Sequence, residues 1–472
     1  MIKRSNIQST EIKSFINREK LYQLIDDVKN YSNRENIDKI IEKSFLLKGL
    51  NLEEVAILLN TEDDFLISKI LDAASKVKEL IYGKRLVIFA PLYIGNICSN
   101  NCLYCAFRKD NHDLKRAVLN FSQIEMETQS LLKQGHKRIL MLCGESEETN
   151  LDYFCEAIRR IYSQNYNGNN IRRINVEIAP LSVDGFKKLY NEKIGTYACF
   201  QETYDEVLYK KYHPEGPKQD YLNRLFVMDR AMEAGIDDVG IGVLFGLADY
   251  KFEVLSLIEH ARHLEEKFGT GPHTVSVPRI EPAVGAPLSY KIPYPVSDKD
   301  FKKIIAIIRL SLPYTGIILS TRENETLRKE LFHYGVSQIS AGSRTNPGAY
   351  SHTNDESTAQ FQLGDHRSLE EVISALIDDE FIPSFCTACY RKGRVGKDFM
   401  DLAKPGLIQK FCMPNGILTF AEYLISFASE KTKKKGFKLI EKLISKIKDE
   451  NQKKKIKIDL ERELKGQMDV YY

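Results

Sequence analysis

From residue 85 onward, short runs rich in β-branched and other apolar residues alternate with longer stretches whose apolar positions recur every three or four residues. The runs at 86–93, 138–142, 174–178, 196–200, 239–245, 274–280, 316–320 and 337–340 predict strands. The stretches 123–133, 219–233, 254–267 and 300–310 predict amphipathic helices between them. Strands that alternate with helices imply a parallel sheet, and eight such units match a (β/α)8 TIM-type barrel. An open doubly wound sheet is the alternative. In a barrel the loops after the strand ends gather at one mouth, where active sites sit.

The flanks have a different rhythm. Residues 1–84 read as a helical N-terminal extension, a lid or plug packed against the barrel. Asn51 with Glu54, and Thr61 with Asp64, carry the spacing of helix N-caps ahead of apolar periodic runs. The barrel is expected over 85–350. Residues 351–472 open on a polar, loop-like stretch at 351–363, and helical periodicity returns at 368–377, 417–427 and 437–447. This end is expected to be a small helical C-terminal domain.

Composition adds limits. The chain has 472 residues, 43% of them hydrophobic and 28% charged, enough for a sizeable core. No apolar run reaches the roughly 18 residues that span a bilayer, and Met1–Asn6 lacks a secretory apolar core. A cytoplasmic location without a membrane partner is expected. A net charge of +3 argues against nucleic acid as the main partner. From Glu430 the chain carries 14 Lys/Arg against 8 Asp/Glu, which reads as a solvated helical face or a contact for an acidic protein. Six of the nine cysteines fall into two sets with ligand spacing, which fits metal binding in a reducing compartment better than disulfides.

The first set is Cys98, Cys102 and Cys105, on a polar, Asn-rich loop after the first predicted strand. Thiolates this close together can hold a 4Fe–4S cube, and with no fourth cysteine nearby one iron keeps an open position for a ligand. A zinc knuckle is the alternative, but no histidine follows until His112. The spacing, with Tyr104 just before the third thiol, resembles the motif of the radical S-adenosylmethionine (SAM) superfamily. The resemblance implies SAM chelated to the open iron and cleaved by one electron to a 5′-deoxyadenosyl radical. Gly144-Glu145, ending the second strand, looks like that superfamily's "GE" motif, in which a carboxylate accepts hydrogen bonds from the SAM ammonium. In the related biotin-synthase group an arginine at the place of Arg224 binds the SAM carboxylate, though Arg224 also reads as a surface helix residue. Gln201 and Glu202, ending the fourth strand, suit the ribose hydroxyls, and the glycines of 240–246 suit close approach of the adenine. Cys143, Cys155 and Cys199 read as small buried apolar residues.

The second set, Cys386, Cys389 and Cys412, again has three thiols, and no histidine follows to complete a zinc site. A radical SAM loop early in a barrel plus a C-terminal Cys-x2-Cys-x22-Cys resembles the FeFe-hydrogenase maturation tyrosine lyases, the HydG family. The likeness runs over essentially the whole chain. It implies cleavage of L-tyrosine between Cα and Cβ to p-cresol and dehydroglycine, and conversion of that fragment to carbon monoxide and cyanide at a second 4Fe–4S cluster. It also implies that this cluster carries a free L-cysteine and a labile fifth iron, with His273 as a protein ligand to that iron. Without the resemblance His273 reads as a loop histidine. The family implies an electron-donor protein and other hydrogenase maturation factors as partners. For the tyrosine carboxylate, Arg322 with Ser320 beside it is the first candidate and Arg344 the second; each also fits an ordinary rim salt bridge. Two rival functions remain: a 2-iminoacetate synthase of thiamine biosynthesis, which lacks the second cluster, and a non-catalytic iron–sulfur scaffold, which needs no SAM pocket.

Overall fold

The computed structural model describes residues 13–352, 356–404 and 406–472. The expectations for 1–12 and for 353–355 therefore lie outside the described residues.

Eight parallel strands close into a barrel: β1 (Arg85–Gly95), β2 (Arg138–Cys143), β3 (Arg173–Glu177), β4 (Tyr197–Ala198), β5 (Val239–Gly242), β6 (Thr274–Ser276), β7 (Gly316–Leu319) and β8 (Gln338–Ser340). β1 pairs with β2 through Ala90–Ile139 and with β8 through Val87–Gln338, which closes the ring and excludes the open sheet. Buried apolar side chains such as Ile88, Ile139, Ile174, Val239 and Ile339 face the surrounding helices or fill the interior. β4, β5 and β6 are shorter than their apolar runs. Beyond Ala198 the pairing becomes irregular: Cys199 N and Gln201 N still donate to Gly240 O and Gly242 O, and Glu202, at φ +70, bridges to Val243. The apolar residues past these strand ends build the mouth rather than the sheet.

A ninth strand was not expected. β9 (Ile382–Ser384) runs parallel to β1 at its start, pairing Arg85 with Ile382. Its central Pro383 cannot donate to a ladder, which is tolerated because β9 is an edge strand with β1 as its neighbour. β9 leads straight into Cys386 and thereby ties the C-terminal thiols to the barrel's lower mouth.

On the N-terminal side, helices span Arg18–Asp27, Arg34–Ser44, Leu52–Leu59 and Asp64–Tyr82. Asn51 and Glu54 form the expected reciprocal cap. At the next helix the cap is Asp63 rather than Thr61, because the Thr61 hydroxyl is buried and donates to Ile57 O instead. The stretch 219–233 is not one helix. It forms Tyr221–Leu225 and Val227–Glu233, broken at Phe226, and the break lets the closely spaced apolar residues Leu225, Val227 and Met228 all be buried. At the other end Gln409–Ser426, Glu430–Ser445 and Glu450–Leu464 pack together. No helix among the described residues is long and apolar enough to cross a membrane.

Candidate functional site

The upper mouth is built on the loop after β1. Arg116 donates to Asn96 O and Phe107 O, each at 2.8 Å, and Asn96 donates to Lys115 O at 2.9 Å. These bonds satisfy backbone carbonyls that a loop would otherwise leave bare, and they fix the curvature on which Cys98, Cys102 and Cys105 sit. Asn100 donates to Cys98 Sγ at 3.6 Å and Gln360 to Cys105 Sγ at 3.7 Å, donors suited to sulfur carrying negative charge. Burial pushes the Cys102 thiol up to about 12 and raises Cys105 as well, each also feeling its neighbouring thiols. Among the described residues no three His, Cys, Asp or Glu side chains gather around a point as a single ion requires. A cube keeps its cysteine sulfurs farther apart than one ion does, so the donor set fits a cluster.

Gly144 lies against the thiol loop. A Cβ there would collide with Ile97 O, so only glycine lets β2 end this close. Glu145 follows, and its Oε2 accepts from Asn100 Nδ2 at 2.7 Å. Arg224 donates to Phe200 O at 2.5 Å and lies 3.7 Å from Glu202. Lys218 pairs with Glu202 at 2.6 Å. Sequence reasoning missed Lys218, which sits in a polar turn with no periodic signal; only the fold brings it to Glu202. Gln201 is buried with both amide atoms unpartnered among the described residues. The Tyr104 hydroxyl lies 2.9 Å from His213 Nε2. The glycines of β5 are required by the barrel's own packing. A Cβ at Gly240 would meet Thr274 Oγ1 at 2.6 Å and one at Gly242 would meet Phe200 at 2.6 Å, so the barrel's own side chains already occupy that space.

Inside the barrel is a chamber lined by apolar and hydroxyl side chains, with Glu177 and Arg322 as its charged members. Ser320 lines it too. The Arg322 guanidinium stacks on Phe361 at 3.3 Å. Arg344 does not line the chamber; it borders outer grooves beside His366 and donates to Ser343 O at 3.0 Å.

At the opposite mouth a second pocket is lined by Cys386, Cys389, Cys412 and His273, together with Arg85 and Arg138. Cys386 and Cys389 follow β9, whereas Cys412 comes from the helix Gln409–Ser426. Burial pushes Cys389 up to about 12 and raises Cys412 as well, each also feeling its neighbouring thiols. His273 lies just before β6, with Nε2 3.0 Å from the Tyr390 hydroxyl and Nδ1 3.6 Å from Asp238 Oδ1. Burial lowers its pKa, which favours the neutral imidazole that binds metals. Arg85, Arg138 and Arg173 are buried here and Arg394 half-buried, each with an unpartnered Nε. Asp238 answers Arg173 at 3.3 Å and Arg394 donates to Tyr472 O at 2.8 Å, while Arg85 and Arg138 have no carboxylate partner among the described residues. Uncompensated buried cations are costly, so the pocket's charge fits an anionic cluster better than three neutral thiols.

The thiol loop at the upper mouth of a closed parallel barrel defines a radical SAM enzyme. A profile of the Radical SAM superfamily matches residues 92–260, and one of the Biotin and Thiamin Synthesis associated domain matches 276–382. A crystal structure of HydG, a maturase of the FeFe-hydrogenase, is 48% identical and superposes with a TM-score of 0.94 over 98% of this chain and 100% of that one. HydG from Carboxydothermus hydrogenoformans is 44% identical, with a TM-score of 0.82 over 94% of this chain and 97% of its own. 2-Iminoacetate synthase of Salmonella typhimurium is 30% identical over 341 residues, 71% of this chain and 87% of that protein. The chain belongs to the HydG family of radical SAM maturases.

Proposed function

We propose that the protein is a lyase that cleaves L-tyrosine between Cα and Cβ to p-cresol and dehydroglycine, and that the fragment becomes carbon monoxide and cyanide at the lower mouth for assembly of the FeFe-hydrogenase cluster. The observation that carries this reading is the pair of thiol sets at opposite mouths of one barrel, with a chamber between them whose Thr274 neighbours His273 of the lower pocket.

Cys98, Cys102 and Cys105 would hold one cluster, and Cys386, Cys389 and Cys412 the other. When bound and reduced, the first cluster with SAM supplies a hydrogen-abstracting carbon radical. The chain's own residues bind and orient. Glu145 accepts from the SAM ammonium, Arg224 holds its carboxylate, and Gln201 offers an unpartnered amide to the nucleoside. Arg322 pairs with the tyrosine carboxylate, and the Phe361 face keeps its guanidinium in place. The apolar walls keep water from the reacting centre. In the lower pocket His273 would be the protein ligand for a labile fifth iron that binds together with a free L-cysteine, and Asp238, 3.6 Å from its Nδ1, would orient the ring on closer approach.

The test is to reduce the reconstituted protein with SAM and tyrosine, then measure p-cresol and trap carbon monoxide with a haem protein. Both products are expected. p-Cresol without carbon monoxide would instead favour 2-iminoacetate synthesis, the activity named for the Salmonella relative. Absence of both would favour a scaffold.

A further inference from the structure

We propose that Glu177 binds the α-ammonium group of the substrate and takes one proton from it, so that tyrosine presents a neutral amine beside the carboxylate held by Arg322. This rests on the reading of the chamber as a tyrosine site, and it extends that reading to a residue whose role no sequence motif suggests.

Glu177 is the last residue of β3 and stands in one layer with Leu142 of β2 and Ala198 of β4. Arg322 follows β7, four strands away around the ring of eight, and therefore faces Glu177 across the lumen. Among the described residues neither side chain has a hydrogen-bond or ion-pair partner; Arg322 has only the Phe361 ring. The rest of the lining is apolar or carries hydroxyl and amide groups, including Phe89, Leu140, Phe200 and Ile318. An enclosed carboxylate and guanidinium, each unpaired, are costly unless a ligand answers both. One group of each sign, set in an aromatic and aliphatic cage, complements a zwitterionic α-amino acid with an aromatic side chain.

The neighbours of Glu177 explain why it can also accept a proton. Tyr93 faces it from β1, Glu202, Lys218 and Arg224 from the segments after β4, and Arg322 from beyond β7. Glu202 already holds Lys218 at 2.6 Å and Arg224 at 3.7 Å, which leaves Glu177 as the carboxylate without a cation. Desolvation first, and then Glu202, push its pKa up to about 7. The α-ammonium of a free amino acid titrates about two units above that, so the carboxylate can take the proton in a minor fraction of the bound pair. The transfer moves one proton from the ammonium nitrogen to a Glu177 carboxylate oxygen, leaving a carboxylic acid and a neutral amine, and no electron changes place. The lone pair so freed stabilises a nitrogen-centred radical, which an ammonium cannot do. Removal of a hydrogen atom from the nitrogen requires that form.

The test uses the full chain, reconstituted anaerobically with SAM but left unreduced, and measures binding of three probes. These are L-tyrosine, 3-(4-hydroxyphenyl)propanoate, which lacks the amine, and tyramine, which lacks the carboxylate. The wild type should prefer tyrosine over the propanoate by about ten-fold or more, the discrimination one charge-assisted hydrogen bond gives. Glu177→Gln should lose that preference while its affinity for the propanoate stays within about three-fold of wild type. Glu177→Asp should recover part of it. A Glu177→Gln variant that keeps the full preference overturns the proposal while leaving the tyrosine reading intact. A wild type that binds none of the probes overturns the tyrosine reading, and this inference with it. If Glu177→Gln fails to fold, the wild type supplies the answer through pH. The preference should be lost below about pH 7, where Glu177 is neutral, and grow above it; a flat preference across that range overturns the proposal.

Discussion

The two mouths of the barrel solve the same problem with opposite means. Above, three thiols sit within eight residues on one loop, tied down by Asn96, Arg116 and Asn111 to backbone carbonyls and met by neutral amides of Asn100 and Gln360. Below, two thiols follow an edge strand, the third arrives on a separate helix, and the surroundings are arginines with few anions. The upper site is defined by local sequence and the lower by tertiary structure. The lesson is electrostatic as well. Neutral donors leave an upper cluster free to stay strongly reducing, whereas buried cations below favour the reduced, more anionic state and anionic ligands.

The sharpest way to break this comparison is to remove each thiol set in turn. Cys98→Ser should abolish both p-cresol and carbon monoxide, a loss on the order of a thousand-fold or more, since no other step replaces radical generation. Cys386→Ser with Cys389→Ser should leave p-cresol within a few-fold and remove carbon monoxide. Equal loss of p-cresol in both would show that the mouths do not divide the work as proposed.

The next largest effect separates ring orientation from the thiols. Asp238→Asn should weaken retention of the fifth iron by about ten- to a hundred-fold, the usual cost of removing a group that orients a metal-bound histidine. Electron paramagnetic resonance of the reduced protein reads this directly, by loss of the fifth-iron signal while the signal of the upper cluster persists. Tyr390→Phe should act in the opposite direction, because its hydroxyl lies 3.0 Å from the same nitrogen that iron would take. If both variants bind iron as the wild type does, His273 is not the ligand.

These features differ in how far the sequence betrays them. The eight barrel strands were legible because parallel strands buried on both faces read as apolar runs. The upper thiols were legible because their spacing is local. β9 was not, since Ile-Pro-Ser carries no strand signal and exists only because β1 offers an unpaired edge at Arg85–Val87. The arginine shell below was half legible. Arg85, Arg138 and Arg173 each open a strand, and in a barrel strand starts share one mouth, so the repeat could have marked a cationic floor. Lys218 and Glu177 were not legible, because what singles them out is a partner gained in one case and a partner missing in the other.

The arginine shell yields the third prediction. Arg85→Gln removes a buried cation that feels all three lower thiols. The reduction potential of the lower cluster should move more negative, by about tens of millivolts, while the upper cluster stays unchanged. Spectroelectrochemistry on wild type and variant measures both in one sample. A shift of equal size at both clusters would mean that Arg85 acts on the fold as a whole rather than on its own pocket.

The smallest expected effect concerns something the mouths share. Cys102 above and Cys389 below are both pushed up to about 12 by burial, from an ordinary value near 9. A group whose folded pKa is raised contributes stability that is complete below the unfolded pKa and is lost as pH climbs toward the folded one. Cluster-free protein should therefore lose stability between about pH 9 and 12, with a fall in Tm of a few degrees over the first two units. Cluster-loaded protein should not show this component, because its thiols are already deprotonated and bound to metal. Cys102→Ala and Cys389→Ala, each compared with wild type in the cluster-free state, should flatten the alkaline slope by similar amounts. If Cys389→Ala left the slope unchanged while Cys102→Ala flattened it, the arginines below would already hold the empty site's thiols as thiolates, and the contrast between the two mouths would extend to the empty protein.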